Sequence, residues 1–418
     1  MTVDGGALRL RYLLKPREIV GHPDMQVLSV YRDHGVIPKS SRDDNFNKTP
    51  LDLSRYQVVR PGDLVINKMK AWQGSLAVSR FDGIVSPDYL VCAVSPEVTS
   101  SYLHFLLRSA PLVNEFRMRS KGIRPAQWRL YWEDLAEIEV NLPGVIEQQR
   151  IANYLESETS RIEALSEKLR KQRDLLEERT LAAVYASIAG LNEPGQRRVS
   201  GISWLGSVPS SWPVMPVGYQ FEVLLGKMLN QDRVQGEHLK PYLRNTNVQW
   251  DRINTDDLLK MNFAPQEQSR YRLLPGDLLV CEGGEPGRSA IWDGSVEEIY
   301  YQKALHRIRV CGYSSPRWLY YCMRAATALN VFAVEGNTTT IAHLTGEQLR
   351  AHRFPFPARS IQDRIVAHLD AISGRRTLLE TKLSKQQSVL VERRQSLIAA
   401  AVTRQIDVST LNVRGTEG

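Results

Sequence analysis

The stretch RSKGIRPAQWRL, residues 119–130, crowds Arg119, Lys121, Arg124 and Gln127 around Gly122 and Pro125. A guanidinium fork can make two parallel hydrogen bonds to guanine or phosphate, and a primary amide can do the same with adenine. A second stretch, VEGNTTTIAHL at 334–344, offers Asn337, Thr338, Thr339, Thr340 and His343. The same donor and acceptor chemistry is available from Lys68, Lys70 and Arg288 near two Pro-Gly-Asp turns, and from Arg244, Asn245 and Asn247 in PYLRNTNVQW. All of these groups suit non-covalent reading of a polar surface. Trp72, Trp128 and Trp250 lie close by and read as core residues rather than stacking platforms.

Groups for covalent chemistry are missing. GGEPGRS at 283–289 resembles a phosphate loop, but its glycine spacing is one residue short and Arg288 stands where lysine is needed. The sequence contains no G-x-S-x-G elbow, no H-E-x-x-H pair and no Asn-Pro-Pro-aromatic segment of the kind found in amino-methylating DNA methyltransferases. The eight histidines are scattered, and His306 and His343 read as structural or contact residues. Cys92, Cys281, Cys311 and Cys322 form no C-x-x-C pair, so reduced core cysteines are expected, with neither a disulfide framework nor a zinc site. The expectation is a chain that makes and breaks no bond.

A formal charge of +8 favours a polyanionic partner only mildly, while 40 of the 54 basic residues are arginine. No run reaches the apolar length of a membrane span, so a cytoplasmic protein is expected. At 418 residues there is room for two to four domains.

The organisation lies in a repeat. LPGVIEQQRIANYL at 142–155 returns as FPARSIQDRIVAHL at 356–369. At an offset of 214 residues, the 48 pairs from Pro143 to Gly190 contain 15 identities, among them Gln148/Gln362, Arg150/Arg364, Lys168/Lys382 and Lys171/Lys385. The offset also pairs RPGDLVI at 60–66 with LPGDLLV at 274–280, so the repeat is about half the chain.

Both copies of the repeated segment read as long helices with a heptad seam. The first seam runs Ile151, Leu155, Glu158, Ile162, Leu165, Leu169, Gln172, Leu176, Arg179, Ala183, Ala186, and the second lies 214 residues on, from Ile365 to Ala400. One narrow stripe on each helix predicts that the two pack on each other. Each helix follows a β-rich globule. The expected layout is a globule at 1–140, a helix at 141–190, a linker and second globule at 191–355, a helix at 356–410 and a flexible tail at 411–418. Such a chain is of the α+β class.

These features together resemble the specificity subunit of type I restriction-modification enzymes. The resemblance rests on the Pro-led EQQRIANYL and IQDRIVAHL segments, the two Pro-Gly-Asp turns, WLGSVPSSW at the head of the second globule and the closing LIAAAVTRQIDV. The first globule departs from it, starting at LRLRYLLK without the Trp-x-x-Pro-type lead of the second. The resemblance implies two β-rich α/β target recognition domains, each reading half of a bipartite double-stranded DNA site. It further implies two long helices pairing as an antiparallel coiled coil with internal pseudo-two-fold symmetry, which set the spacer and dock two methyltransferase subunits. Gln148, Arg150, Lys168, Lys171, Gln362, Arg364, Lys382 and Lys385 are then the duplicated docking residues. S-adenosylmethionine belongs on the methyltransferase, and restriction (translocase/nuclease) subunits are further partners. The other class of reading is a coiled-coil adaptor whose globules bind protein.

Overall fold

The computed structural model describes residues 7–32, 34–42, 49–124, 127–229, 235–334 and 343–408. The candidates Asn337, Thr338, Thr339 and Thr340 and the tail at 411–418 lie outside the described residues. The chain is a mixed helix and sheet protein that forms two compact units, residues 1–170 with 384–418, and residues 171–383. Each unit therefore takes one end of each long helix, Val145–Ile188 and Arg359–Val402.

The first unit is built on a four-stranded antiparallel sheet ordered Leu14–Pro16, Tyr89–Val94, Leu64–Asn67, Leu76–Val78. The second has Phe221–Leu225, Leu305–Val310, Leu278–Cys281, Ser289–Ile291 in the same order and also antiparallel. The third-placed strand of each sheet follows a Pro-Gly-Asp turn. Gly62 and Gly276 sit at φ +93° and +92°, which a side chain resists, and the following aspartate folds back to accept the Arg60 or Leu274 amide at 2.7 Å. These buried carboxylates are neutralised by Arg17 in the first unit and by a two-pronged Arg309 in the second.

Outside these sheets the units differ. The first adds the hairpin Leu28–Tyr31 with Gly35–Pro38 and the pair Gln57–Val59 with Gly83–Val85. The second adds a three-stranded sheet in which Leu239–Leu243 lies between Leu259–Asn262 and the parallel Tyr300–Tyr301.

A buried amide fastens each long helix to its sheet. Gln148, 1% exposed, accepts the Thr99 amide at 2.8 Å and donates to the Pro143 carbonyl at 2.9 Å. Gln362, fully buried, accepts the Ser315 amide and the Ser314 hydroxyl at 2.9 Å each, and donates to the Pro357 carbonyl at 2.7 Å. Thr99 and Ser315 are the N-caps of Ser100–Leu107 and Pro316–Ala328, the helices that pack on the two sheets. This corrects the docking role expected of the two glutamines, whose hydrogen bonds are spent inside the fold. The helix ends complete the cores: Ile151, Leu155, Ile398 and Ala401 join Tyr102, Leu103 and Phe116, while Val184, Ile188, Ile365 and Leu369 join Trp318 and Leu319.

The buried stripe of each helix is displaced from the expected seam. Leu155, Ile162, Leu169 and Leu176 face inward, but the alternate positions are Thr159, Ser166 and Thr180 rather than Glu158, Leu165, Gln172 and Arg179. Leu165 is 48% exposed and its repeat mate Leu379 45%. The second helix shifts alike, covering Ser373, Glu380, Gln387 and Arg394 in part while Gln386 and Arg393 stay exposed. Threonine can be buried here because its hydroxyl bonds the carbonyl one turn back, Thr159 to Leu155 at 2.6 Å and Thr180 to Leu176 at 2.8 Å. All four cysteines are free. Three are buried as expected, whereas Cys311 is exposed, a departure explained by its place in the bend just after the strand Leu305–Val310.

Two predictions follow from this packing. Replacing Gln362 with leucine strands a buried amide, a hydroxyl and a carbonyl, and is expected to lower stability by about 2–4 kcal/mol. Replacing the exposed Arg364 with alanine should cost less than about 1 kcal/mol; chemical denaturation compares them, and equal effects would contradict the role given to Gln362. The second concerns acid. Burial pushes the imidazoles of His306 and His352 below their ordinary value, His352 to about 4. Both are neutral in the folded state, so they give no pH dependence above the unfolded value of about 6.5; below it the unfolded chain gains protons and stability falls, by up to about 1.4 kcal/mol per pH unit for each ring. His352 packs against the rings of Phe332 and Phe354 at 5.1 and 4.8 Å. His352→Phe should therefore flatten the thermal-melt profile between about pH 6.5 and 5, and an unchanged slope would show that His352 does not stay neutral.

Candidate nucleic-acid interface

In the first unit the strand Leu64–Asn67 runs into a turn carrying Lys68 and Lys70. The stretch 119–130 returns to that turn, where the Leu130 amide donates to the Lys68 carbonyl at 2.9 Å. Lys121 and Arg129 exchange main-chain bonds at 3.0 and 2.9 Å, which closes a hairpin loop. Gly122 is needed at its neck, since a Cβ there would lie 2.6 Å from the Gln127 carbonyl oxygen. Trp128 packs edge-on against Trp72 with ring centroids 5.3 Å apart, and the Trp72 indole donates to the Met69 carbonyl at 3.0 Å. The two indoles act as a hinge pin between loop and turn.

The structure thus gathers the first unit's candidates but does not leave all of them available. Lys121 bonds Asp134 at 2.7 Å, Arg119 bonds Glu115 at 3.1 Å, and the Lys68 ammonium donates to the Pro87 carbonyl at 2.8 Å. Lys70, Arg124 and Gln127 are exposed, and their side chains have no partner among the described residues. Ile123, 96% exposed, shares the loop tip with Arg124.

In the second unit the strand Leu278–Cys281 ends beside Glu282, whose carbonyl accepts the Leu344 amide at 2.7 Å. Leu344 and Glu282 lie 214 residues beyond Leu130 and Lys68. The returning loop is therefore fastened at the equivalent point of the equivalent strand. His306, fully buried, holds the Leu344 carbonyl through Nε2 at 2.8 Å, and its burial makes it structural, not a base. His343 is exposed next to this anchor.

The remaining candidates of this unit are mostly braces. Asn247 is 3% exposed, accepts the Arg244 amide at 2.9 Å and donates to the Asn254 carbonyl at 3.0 Å; a buried amide with both ends used cannot reach a base. Arg244 bonds the Asp257 carboxylate at 2.6 Å. Arg288 donates to the Asn245 side chain at 3.0 Å, and Asn245 donates to the Gly283 carbonyl at 2.8 Å. These bonds tie the GGEPGRS segment down as a hairpin between Leu278–Cys281 and Ser289–Ile291. Of the expected docking residues, Arg150, Lys168, Lys171, Lys382 and Lys385 are exposed on the long helices, and Arg364 is exposed but bonded to Glu193 at 2.7 Å.

Sequence reading missed the anchors themselves. Leu130, Leu344 and Glu282 act through main-chain groups, which leave no residue-type signal beyond the repeat offset.

No family pattern matches the sequence, and no curated protein does. Solved structures do match. A chain from a structure concerned with complex assembly and conformational transition of a type I R-M system superposes with a TM-score of 0.66 at 17% identity, covering 96% of this chain and 98% of that one. The HsdS subunit from Thermoanaerobacter tengcongensis superposes with a TM-score of 0.50 at 18% identity, covering 97% and 98%. At this identity the likeness is one of fold, and it extends over nearly the whole length of the chain.

Proposed function

We propose that this chain is the DNA sequence-recognition subunit of a type I restriction-modification complex. The observation that carries the reading is the end-to-end likeness in fold to a chain of a type I R-M system and to an HsdS subunit. Each globular domain reads one half of a bipartite duplex site, and the long helices set the spacer and dock two methyltransferase subunits. Methyl transfer takes place on those partners, which hold S-adenosylmethionine, and restriction subunits join the same assembly. The chain's own work is binding and positioning.

Several features support this arrangement over a protein-binding adaptor. Both units carry a four-stranded sheet of one order, with a loop fastened to the end of its third-placed strand, so two unlike loops stand on like scaffolds. Scaffold-held loops are where recognition residues concentrate. Exposed Lys70, Arg124 and Gln127 supply ammonium, guanidinium and amide donors suited to phosphate and base edges. An antiparallel helix pair is supported within each unit. Glu163 approaches Arg394 at 3.6 Å in the first, and Glu177 bonds Arg376 at 2.8 Å in the second, so residue numbers fall on one helix as they rise on the other. The exposed lysine pairs 168/382 and 171/385 offer equivalent surfaces to two copies of one partner.

The reading is tested by retention on duplex DNA together with mapping of methylated bases. Arg124→Ala is expected to relax preference at one half-site by about 1–3 kcal/mol and leave the other unchanged. Equal loss at both halves would assign Arg124 to phosphate contact or folding. Inserting four residues between Lys171 and Gln172 lengthens the helix by about 6 Å and keeps its buried stripe nearly in phase. The preferred spacer should then grow by up to about two base pairs, DNA rising about 3.4 Å per step. Methylation of a library varying only in spacer length measures this, and an active complex with an unmoved preference would remove the helices from the ruler role.

A further inference from the structure

The helices Ser100–Leu107 and Pro316–Ala328 hold equivalent places, each capped by the residue whose amide feeds the buried glutamine. What lies between this helix and the long helices differs. In the second unit the space is filled. Arg317 donates to Asp370 at 2.7 Å and to Asp251 at 2.8 Å, and lies over the rings of Tyr320 and Tyr321 at 4.5 and 5.1 Å. The Tyr321 hydroxyl donates to Asp370 at 2.6 Å, and Arg324 reaches Glu177 at 3.0 Å.

Counted from the caps, the first unit has Ser101 in place of Arg317 and Phe105 in place of Tyr321. With so short a side chain there, a cleft of about 970 Å³ opens between Ser101 and His104 on the short helix and Glu156, Ser160 and Glu163 on the central long helix. Arg80, Arg108 and Arg394 also line it. Its two carboxylates make only long contacts, Glu156 with Arg80 at 3.4 Å and Glu163 with Arg394 at 3.6 Å. Three arginines thus face two acids. The potential inside is positive: burial first, and then Arg108, Arg80 and Arg394, hold His104 down to about 3.

The cleft's position separates it from the recognition loop. Pro61 and Gly62, which line it, lead into the strand Leu64–Asn67, and the loop at 119–130 is fastened beyond that strand's other end at Lys68. A strand of this length spans about 13 Å. Duplex DNA seated on the loop therefore leaves the cleft open, and the walls from the long helices place it on the elements assigned to partner docking.

We propose that this cleft receives an acidic segment of a methyltransferase subunit, and that the second unit, filled by Arg317 and Tyr321, has no such seat, so that two chemically identical partners are held unequally. The inference rests on the specificity-subunit reading. Ser101→Arg tests it by giving the first unit the second unit's filling, with Glu156 standing where Asp370 accepts. The variant is expected to keep duplex binding and to bind one methyltransferase copy normally and the other at least about tenfold more weakly, as read by native mass measurement during titration. In the unaltered chain, hydrogen exchange on adding the methyltransferase should slow at 99–108 and stay unchanged at 315–324. Normal binding of both copies by Ser101→Arg, or equal protection of the two segments, overturns the inference, as does protection of 99–108 by duplex DNA alone. Failure of the unaltered chain to retain duplex DNA or to bind any methyltransferase is a separate readout, which overturns the underlying reading and the inference with it.

Discussion

One buried primary amide per repeat holds this architecture together. A glutamine one turn into each long helix must satisfy a donor and an acceptor at once, because water cannot reach either. It does so by joining the proline carbonyl that precedes its own helix to the amide capping the helix on the adjacent sheet. A leucine at this position would fill space without fixing direction. The amide fixes where the long helix starts and how it leaves the sheet, and its hydrogen bonds admit little tolerance in angle. The strand pairs Ala7–Arg9 with Glu139–Asn141 and Val214–Pro216 with Arg353–Pro355 lead into the same junctions, so chain direction there is set twice over.

Much of this was legible because it is written twice. The 214-residue offset located both helices to within a few residues, and the Pro-Gly-Asp turns located the strands that carry the loops. The same two glutamines, however, read as surface residues, since identity between repeats does not distinguish a group kept for a partner from one kept for the interior. The seam was misplaced for a related reason. An apolar pattern chooses Leu165 over Ser166, yet a hydroxyl that bonds its own helix is small and cheap to bury, and the tighter stripe through Thr159, Ser166 and Thr180 is the one covered. Asn247 and Arg288 misled in the opposite direction: they have the chemistry of base readers, but neighbours distant in sequence, Asn254 and Asn245 among them, consume it. The three-stranded sheet of the second unit was invisible because its parallel pair joins Tyr242 to Tyr300, far outside any local pattern.

Shared scaffolding makes the differences between the units interpretable. Where the backbone frames agree, a single exchange such as serine for arginine at the second position of the short helix changes a filled junction into an open one. The inserted strands likewise differ in kind, a hairpin and a two-stranded pair on one side against a mixed sheet on the other. Duplication followed by divergence at such points yields a chain whose halves are interchangeable in framework and unlike in surface.

The fastening of the two loops has a consequence for how such a protein changes over generations. Leu130 and Leu344 are tied to Lys68 and Glu282 through amide hydrogen and carbonyl oxygen alone, and every residue except proline carries both groups. Substitutions inside the loop leave the tie intact, and so do most substitutions at the tie itself. A lineage can therefore try new loop sequences one mutation at a time, without first acquiring a second change to keep the fold, and each trial alters what is contacted while leaving the place of contact where it was.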